Sequence, residues 1–298
     1  MNGILNINKP TGRTSFSIVA LVKRLSGERR VGHAGTLDPD ASGVLPVCLG
    51  QGTRVVQFLM NATKSYRAQI ELGVTTDTYD ASGQIIHQED PSGITLEKVA
   101  PALAAFRGVI QQTPPEYSAV KYHGRPLYQW ARAGIKVERQ SRPAKIHRLE
   151  LIDFTPPLVT IEVECGKGTY IRSLAHDFGQ ALGCGASLKS LVRLRCGPFD
   201  ISNAVSLPEL EEAFRHGYWP HLVYPIDTVL SHWPAMVVSD DTGRVIRNGS
   251  PLALDKDITP ASSSAEKRCR VYTPDGHFIG LLHFNPERGE WQPEKVFG

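Results

Sequence analysis

Two stretches of the chain alternate between apolar and polar residues with a period of two. In "SYRAQIELG", Tyr66, Ala68, Ile70 and Leu72 share one face, while Arg67, Gln69 and Glu71 share the other. In "LVTIEVEC", Val159, Ile161, Val163 and Cys165 form a second such row. Each pattern fits a strand with one inward face, and Tyr66 begins the inward row of the first. Other segments carry helical spacing. "ILNINKP" reads as a short strand ending at Pro10, after which Thr14 or Ser15 can cap a helix with Ile18, Leu21, Val22 and Leu25, closed by Gly27. Thr95 can cap a second helix, bearing Leu96, Val99, Leu103 and Phe106, in which Pro101 should make a kink. Thr169 can cap a third, with Ile171, Leu174, Ala175, Phe178 and Leu182; Tyr170 and Arg172 then fall in its first turn, where the macrodipole favours a nearby anion. Strands and helices do not alternate regularly. The expected class is therefore α+β, with a large mixed, mainly antiparallel sheet.

The turn signals complete this outline. "DASG" at 80–83 reads as a turn with "QIIH" returning as a partner strand, and the glycines of "VGHAGTLDPDASGVLPV" at 31–47 read as a loop. A length of 298 residues suggests two domains. "SHWPAM" at 231–236 is the expected junction, giving a larger domain over 1–232 and a small β domain over 233–298. Within the latter, "RCRVYTPDGHFIGLLHF" turns at Pro-Asp-Gly, and the polar "DKDITPASSSAEK" reads as a mobile loop.

Composition excludes several classes. Five cysteines, odd in number and without a CxxC pair, argue against a disulfide framework and against a zinc site. No apolar run has the length of a signal peptide or of a membrane span, so a cytoplasmic protein is expected. There is no GxxxxGK[ST], HExxH or GxSxG motif, and the histidines lack ligand spacing. Net charge is only +3, but it is unevenly placed. Between Ser118 and Arg148 eight Lys and Arg residues face one acid, Glu138, a local surplus of +7. Tyr122, Tyr128 and Trp130 are interleaved with these cations, a mixture that suits nucleic acid as well as a solvated surface loop.

Asp38 lies between Leu37 and Pro39 in a glycine-rich, nearly uncharged run. Locally, Asp-Pro is a turn former, and Asp40 could make with it a carboxylate pair of the glycosidase kind. The order of longer segments decides more. "NKPTGRTS", "GHAGTLDPDASGVLPV", "SYRAQIELG" before "TTDTYDASG", "QTPPEYSAVKYHGRPLYQWARAG" and "GKGTYIRSLAHDFGQALGCGASLKSLVRL" follow one another as in bacterial tRNA pseudouridine-55 synthases. Over most of residues 2–200 the chain resembles that family, called TruB. "RVIRNGSPL" and "GHFIGLLHF" resemble its C-terminal PUA-like RNA-binding domain more weakly.

The resemblance implies isomerisation of uridine at position 55 in the T-loop of tRNA, with the base first extruded from its stack. No external group enters such a reaction, so no metal, nucleotide or organic cofactor is expected. By resemblance Asp38 is the essential carboxylate and Arg172 its partner. Tyr66 is the ring that stacks on the base and a candidate for moving a proton. Tyr170 and Leu191 line the pocket, and His33 fills space vacated in the T-loop. The basic segment 118–148 matches a mobile insertion that closes over the T-arm, with Lys121, Arg132 and Arg142 among its expected RNA contacts. A monomer without an obligate protein partner is expected. Two other readings follow the same scaffold, an RNA-guided catalytic subunit acting on rRNA and a non-catalytic tRNA-folding module.

Overall fold

The computed structural model describes residues 1–252 and 268–298. The stretch read as a mobile loop, 255–267, lies outside the described residues. From the N-terminus, β1 (Gly3–Lys9) leads into α1 (Ser15–Ser26), which Thr14 caps by accepting from the Ser17 amide. Two strands follow, β2 (Val31–His33) and β3 (Ser42–Leu49), and then α2 (Val56–Asn61). The first alternating stretch is β4 (Lys64–Leu72). A hairpin of β5 (Val74–Thr76) and β6 (Ile85–Gln88) precedes α3 (Leu96–Ala104), which runs on past Pro101, and β7 (Gly108–Gln112). The basic segment holds a small hairpin, β8 (Lys121–Tyr122) with β9 (Arg125–Pro126), and α4 (Leu127–Arg132). Long strands β10 (Arg142–Thr155) and β11 (Leu158–Cys165) come next, then α5 (Ile171–Leu182) and β12 (Ala186–Cys196). Short β13 (Phe199–Asp200), α6 (Leu207–His216) and β14 (Val223–Tyr224) close the larger sheet.

These strands make a ten-stranded sheet in the order β14-β1-β3-β12-β4-β11-β10-β7, with β2 on β3 and β13 on β12. All its pairings are antiparallel except β3 with β12, which are parallel at Ser42–Val192 and Gly43–Arg193. The fold is α+β. A second, four-stranded sheet is built from β15 (Ala235–Val237), β16 (Arg268–Tyr272), β17 (Phe278–Asn285) and β18 (Glu290–Val296), with α7 (Asp240–Arg247) inserted before β16. Among the described residues no helix is long and apolar enough to cross a membrane.

Apolar burial organises the large sheet, each fully buried Leu, Ile, Val or Phe contributing about 1.5–3 kcal/mol over exposure. One core lies between α3 and α5 and the inward rows of β4 and β11. Another sets Ile18, Val19 and Val22 of α1 against Leu5, Ile7, Leu45 and Val47. Tyr66 and Leu191 pack against both cores, so they mark the seam between them. A third cluster joins Ile4, Val44 and Cys48 to Leu281 and Phe297 of the second sheet.

Several sequence expectations change. The glycine-rich run 31–47 is a loop only over its middle. Its end forms β3, which is buried on both faces and therefore shows no alternation to read. "QIIH" does return as a partner strand after the turn, but the hairpin it makes with β5 stands apart from the large sheet. The basic segment does not extend to 148 as one unit: Arg142, Lys145 and Arg148 belong to β10 of the main sheet. α5 starts one residue later than expected, with Tyr170 as its N-cap, while the Thr169 hydroxyl turns back to the Gly166 carbonyl. The C-terminal part is not all strand, since Ser239 caps α7 and Ile246 buries its apolar side.

Candidate active site

Asp38 sits in the loop between β2 and β3, and that loop is tied down from three elements. Lys9, buried at the end of β1, donates from Nζ to the carbonyls of Pro10 (2.9 Å), Arg13 (2.5 Å) and Pro39 (3.0 Å). Ser15, at the start of α1, exchanges two hydrogen bonds with Leu37: its hydroxyl donates to the carbonyl at 3.0 Å and accepts from the amide at 2.9 Å. Arg193, buried on β12, donates from Nε to the Val44 carbonyl at 2.6 Å and from Nη2 to that of Gly35 at 3.0 Å. The Ala41 amide closes the turn on the Asp38 carbonyl. Burial lowers the Lys9 ammonium to about 8, with Asp40 and Asp38 working the other way.

The close approach of β12 to β3 explains Gly43. Its φ of +102° lies in the region open to glycine, and a Cβ there would meet the Arg193 carbonyl at 2.3 Å. The loop's position thus depends on a glycine and three buried polar side chains.

Arg172 enters from the second residue of α5. The segment 112–118 holds that helix end in place of a side-chain cap. Gln112 accepts from the Tyr170 amide (2.8 Å) and donates to its carbonyl (2.9 Å), and the Ser173 hydroxyl donates to the Thr113 carbonyl (2.7 Å). The Arg172 guanidinium is buried and fully engaged. Nε pairs with Asp38 Oδ2 at 3.0 Å, Nη1 faces Asp80 Oδ2 at 3.5 Å and the Thr78 carbonyl at 3.4 Å, and Nη2 donates to the Tyr117 carbonyl at 3.0 Å. One arginine therefore holds two carboxylates from distant parts of the chain.

Asp38, Asp80 and Arg172 line a cleft of about 280 Å³ with Asp40, Leu188 and Leu191. That is near the lower end of the ~300–1,000 Å³ typical of small-ligand sites. The Asp38 side chain remains 44% exposed, so its carboxylate faces the cleft while its base is embedded. Burial raises its pKa above the ordinary carboxylate range, Arg172 opposes this, and Asp80 and Asp40 add to it. The result is an acid held close to a cation yet short of full solvation, suited to meeting developing positive charge. A larger cavity, about 830 Å³, lies beside Phe58 and Trp233, next to the second sheet. Its charged groups are already matched, Arg195 with Glu164 at 3.0 Å and Arg268 with Glu294 at 2.6 Å. The chemistry points to the smaller cleft.

The residues singled out from sequence fall into three groups. Asp38, Arg172 and Leu191 meet at the cleft. Tyr66, Tyr170 and His33 are not among its lining residues. Tyr66 lies opposite Arg193 across β4 and β12, and burial pushes its phenol up to about 12. Tyr170 precedes Arg172, its phenol raised by burial, with Ser118 and Arg172 opposing. His33, on β2, has a buried Nδ1 with no partner, and burial and Arg193 lower its pKa. Lys121, Arg132 and Arg142 are exposed and lie outside the cleft, Arg132 over the Tyr128 ring at 5.5 Å. Sequence reading missed Asp80, Lys9 and Arg193. The one available signal was a charged residue inside an otherwise apolar strand, as in "ILNINK" and "LVRL".

Two family models match the chain over residues 23–231. Residues 23–171 match the TruB family pseudouridylate synthase N-terminal domain, and residues 172–231 match the tRNA pseudouridylate synthase B C-terminal domain. The chain belongs to the TruB family. It is 44% identical to the tRNA pseudouridine synthase B of Dehalococcoides mccartyi over 298 residues, all of this chain and 97% of the relative. The enzyme of the same name from Clostridium tetani is 42% identical over 94% of this chain and 95% of its own. Among solved structures, a chain of a Cbf5–Nop10–Gar1 complex superposes with a TM-score of 0.77 at 27% identity, covering 99% of this chain and 85% of that one. A chain of an H/ACA RNP bound to a substrate RNA containing 2′-deoxyuridine gives 0.75 at 26% identity, covering 99% and 85%. This TruB protein is thus a pseudouridine synthase in sequence and in fold.

Proposed function

We propose that this protein converts uridine to pseudouridine at position 55 in the T-loop of tRNA, with Asp38 as the essential carboxylate. The observation that carries the reading is the Asp38–Arg172 ion pair of 3.0 Å at the mouth of a nucleoside-sized cleft. The reaction breaks the bond from ribose C1′ to uracil N1, turns the base, and joins C1′ to C5; C5 loses its proton and N1 gains one. Nothing is oxidised and no group is added. As the glycosidic bond breaks, positive charge grows at C1′, and an adjacent carboxylate stabilises it or attacks it. Arg172 keeps Asp38 ionised and aimed, while Asp80 and two carbonyls fix Arg172.

The target uridine is extruded from the T-loop at a cost of a few kcal/mol. Tyr66 meets the flipped base, Leu191 and Tyr170 shape the pocket wall, and His33 occupies the space the base leaves. Base–aromatic stacking of about 1–3 kcal/mol offsets much of the extrusion. For Tyr66 to reach the base, the seam at Tyr66 and Leu191 must open slightly as RNA enters. The exposed cations of β8 to α4, Lys121 and Arg132 among them, and Arg142 at the start of β10 hold the T-arm backbone. The module from 233 to 298 adds a further tRNA contact. The enzyme acts as a cytoplasmic monomer, and its relatives of similar length carry the tRNA enzyme's name.

Product analysis on a T-arm stem-loop transcript tests this reading. Wild-type protein forms pseudouridine at the single target uridine. Asp38→Asn binds the same RNA and forms none. Normal turnover by that variant, or product at another uridine, would overturn the assignment.

A further inference from the structure

The short strap 77–83, which brings Asp80 to Arg172, has an unusual means of support. Asp80 Oδ1 is occupied within the strap, accepting from the Thr78 hydroxyl (2.7 Å) and from Ser82 through its amide (3.1 Å) and hydroxyl (2.6 Å). Only Oδ2 is left for Arg172. Between Thr78 and Asp80 stands Tyr79, whose φ of +65° is a left-handed conformation that a residue with a β-carbon adopts only when its surroundings hold it there. Two backbone bonds tie the strap to β12: the Leu188 amide donates to the Tyr79 carbonyl, and the Ala81 amide to the Leu188 carbonyl, both at 2.9 Å.

The strap's base is tied by the Thr76 hydroxyl, which donates to the Asp80 carbonyl at 2.6 Å, and by the Asp77 amide on the Gln84 carbonyl at 3.1 Å; a ring stack adds a hold on α5. Arg172 and His176 stand one turn apart on α5, at i and i+4, and so share a face. The Tyr79 ring lies flat on the His176 imidazole, centroids 3.9 Å apart and planes 11° from parallel. His176 Nδ1 is buried and, among the described residues, has no hydrogen-bond partner. The strap thus touches one face of α5 twice, through Thr78 and Asp80 on Arg172 and through Tyr79 on His176.

We propose that Tyr79 and His176 are positioning residues for the reaction: their stack clamps the strap to α5, so that Asp80 and the Thr78 carbonyl orient Arg172 with its Nε edge toward Asp38. The inference rests on the reading of Asp38 and Arg172 given above. Without the stack, the left-handed Tyr79 relaxes, Asp80 drifts from Nη1, and the guanidinium samples orientations that no longer face Asp38. The basic segment that holds the RNA backbone is not part of the strap, so overall RNA affinity changes little while the chemical step is slowed.

The test uses the full chain with T-arm RNA under single-turnover conditions, comparing Tyr79→Phe and His176→Phe, which keep a ring, with Tyr79→Ala and His176→Ala. A lost stack corresponds to about a 2–12-fold change in the equilibrium constant between clamped and released strap. The alanine variants should slow the single-turnover rate measurably, by up to about 12-fold, with RNA affinity little changed. The phenylalanine variants should stay near wild type, and the double alanine variant should be no slower than either single one. Amide hydrogen exchange provides a readout independent of activity. At Ala81 and Leu188 it should accelerate in the alanine variants, and at Ala68 and Ile161 in the sheet it should not. Unchanged exchange at Ala81 and Leu188, or faster exchange with an unchanged rate, would overturn the proposal. So would phenylalanine variants as slow as the alanine ones. If wild-type protein forms no pseudouridine, it is the underlying reading that fails, and exchange still decides whether the clamp exists.

Discussion

Arg193 donates to the Val44 carbonyl at 2.6 Å across 149 residues of sequence, and its other arm reaches Gly35. One buried guanidinium therefore spans both ends of the loop that carries Asp38. Arg193→Met fills similar space but leaves two carbonyls without a donor in the interior. Each such loss costs about 1–3 kcal/mol. The variant should lose about 2–6 kcal/mol in urea unfolding, seen as a lower midpoint with an unchanged slope. A midpoint equal to wild type would mean that water replaces the guanidinium and that the loop does not depend on it.

Gly43 tests the same contact from the other side. Gly43→Ala puts a methyl carbon 2.3 Å from the Arg193 carbonyl at a φ of +102°, so both sterics and backbone oppose it. Neither neighbour is a flexible side-chain tip, so β3 and β12 must separate. A loss of about 3 kcal/mol or more is expected, in the range reserved for core clashes and strained backbones. Gly12→Ala is the control in a thermal melt, because its φ is also positive, at +76°, but no atom lies within 4 Å of the added carbon. It should cost only the backbone strain, about 1–2 kcal/mol.

These two residues also show where sequence reading stops. Periodicity recovered β4, β11, α1 and α5, because each buries one face and exposes the other. It failed at β3, which is buried on both faces, and it could not see that β5 and β6 leave the main sheet. Asp38 and Arg172 were found through a long resemblance, not through local chemistry, since an Asp-Pro in a loop is ordinary. Asp80 escaped notice in a "DASG" turn, where an aspartate has a local reason to be. Its second oxygen acquires a role only when the strap folds onto α5. Lys9 and Arg193 serve backbone carbonyls, partners that leave no trace in a sequence.

Asp177, half-buried on α5, has a carboxyl that burial raises to about 6. The sign follows from linkage. Between the ordinary value of 3.8 and about 6 the folded state binds the proton more tightly than the unfolded one, so stability falls as pH rises through that window. The penalty is complete above about 6. Asp177→Asn should therefore raise stability at pH 7.5 by about 1–2 kcal/mol, discounted for partial exposure, and leave it unchanged near pH 3.5. Paired melts of the two proteins across pH 3.5–8 would show the difference opening between those limits.

Asp38 follows the same sign with a different consequence. Burial raises its pKa, so its charged form is disfavoured by folding, with Arg172 first and Lys9 second working the other way. Asp38→Asn should melt at or above the wild-type temperature at pH 7.5, with the difference vanishing as pH falls below 3.8. Wild-type single-turnover rate should fall on acidification, with a midpoint above the ordinary carboxylate value. Arg172→Met removes the opposing cation and should move that midpoint higher still, against a much reduced maximum. A midpoint unmoved by Arg172→Met would separate the pair electrostatically in spite of its 3.0 Å distance.

The exposed cations between 118 and 142 give a prediction that no feature of the cleft can mimic. Lys121, Arg125, Arg132, Lys136 and Arg142 are all solvent-facing. Arg139 is held back by Glu116 at 3.6 Å and by the Pro114 carbonyl at 3.1 Å, so it is left out of the count. If five cations each neutralise one phosphate of the duplex stem, the slope of log affinity against log salt should be about −4 to −5. Replacing Lys121 and Arg132 by glutamine should make it shallower by about 2. Affinity at low salt then drops, while the rate of the bound complex does not, because neither residue lines the Asp38 cleft. Filter binding from 50 to 300 mM salt, beside single-turnover rates at saturating protein, separates the two effects. A slope near zero in the wild-type protein would mean that this basic segment does not hold the RNA backbone, and that affinity comes from base and shape contacts alone.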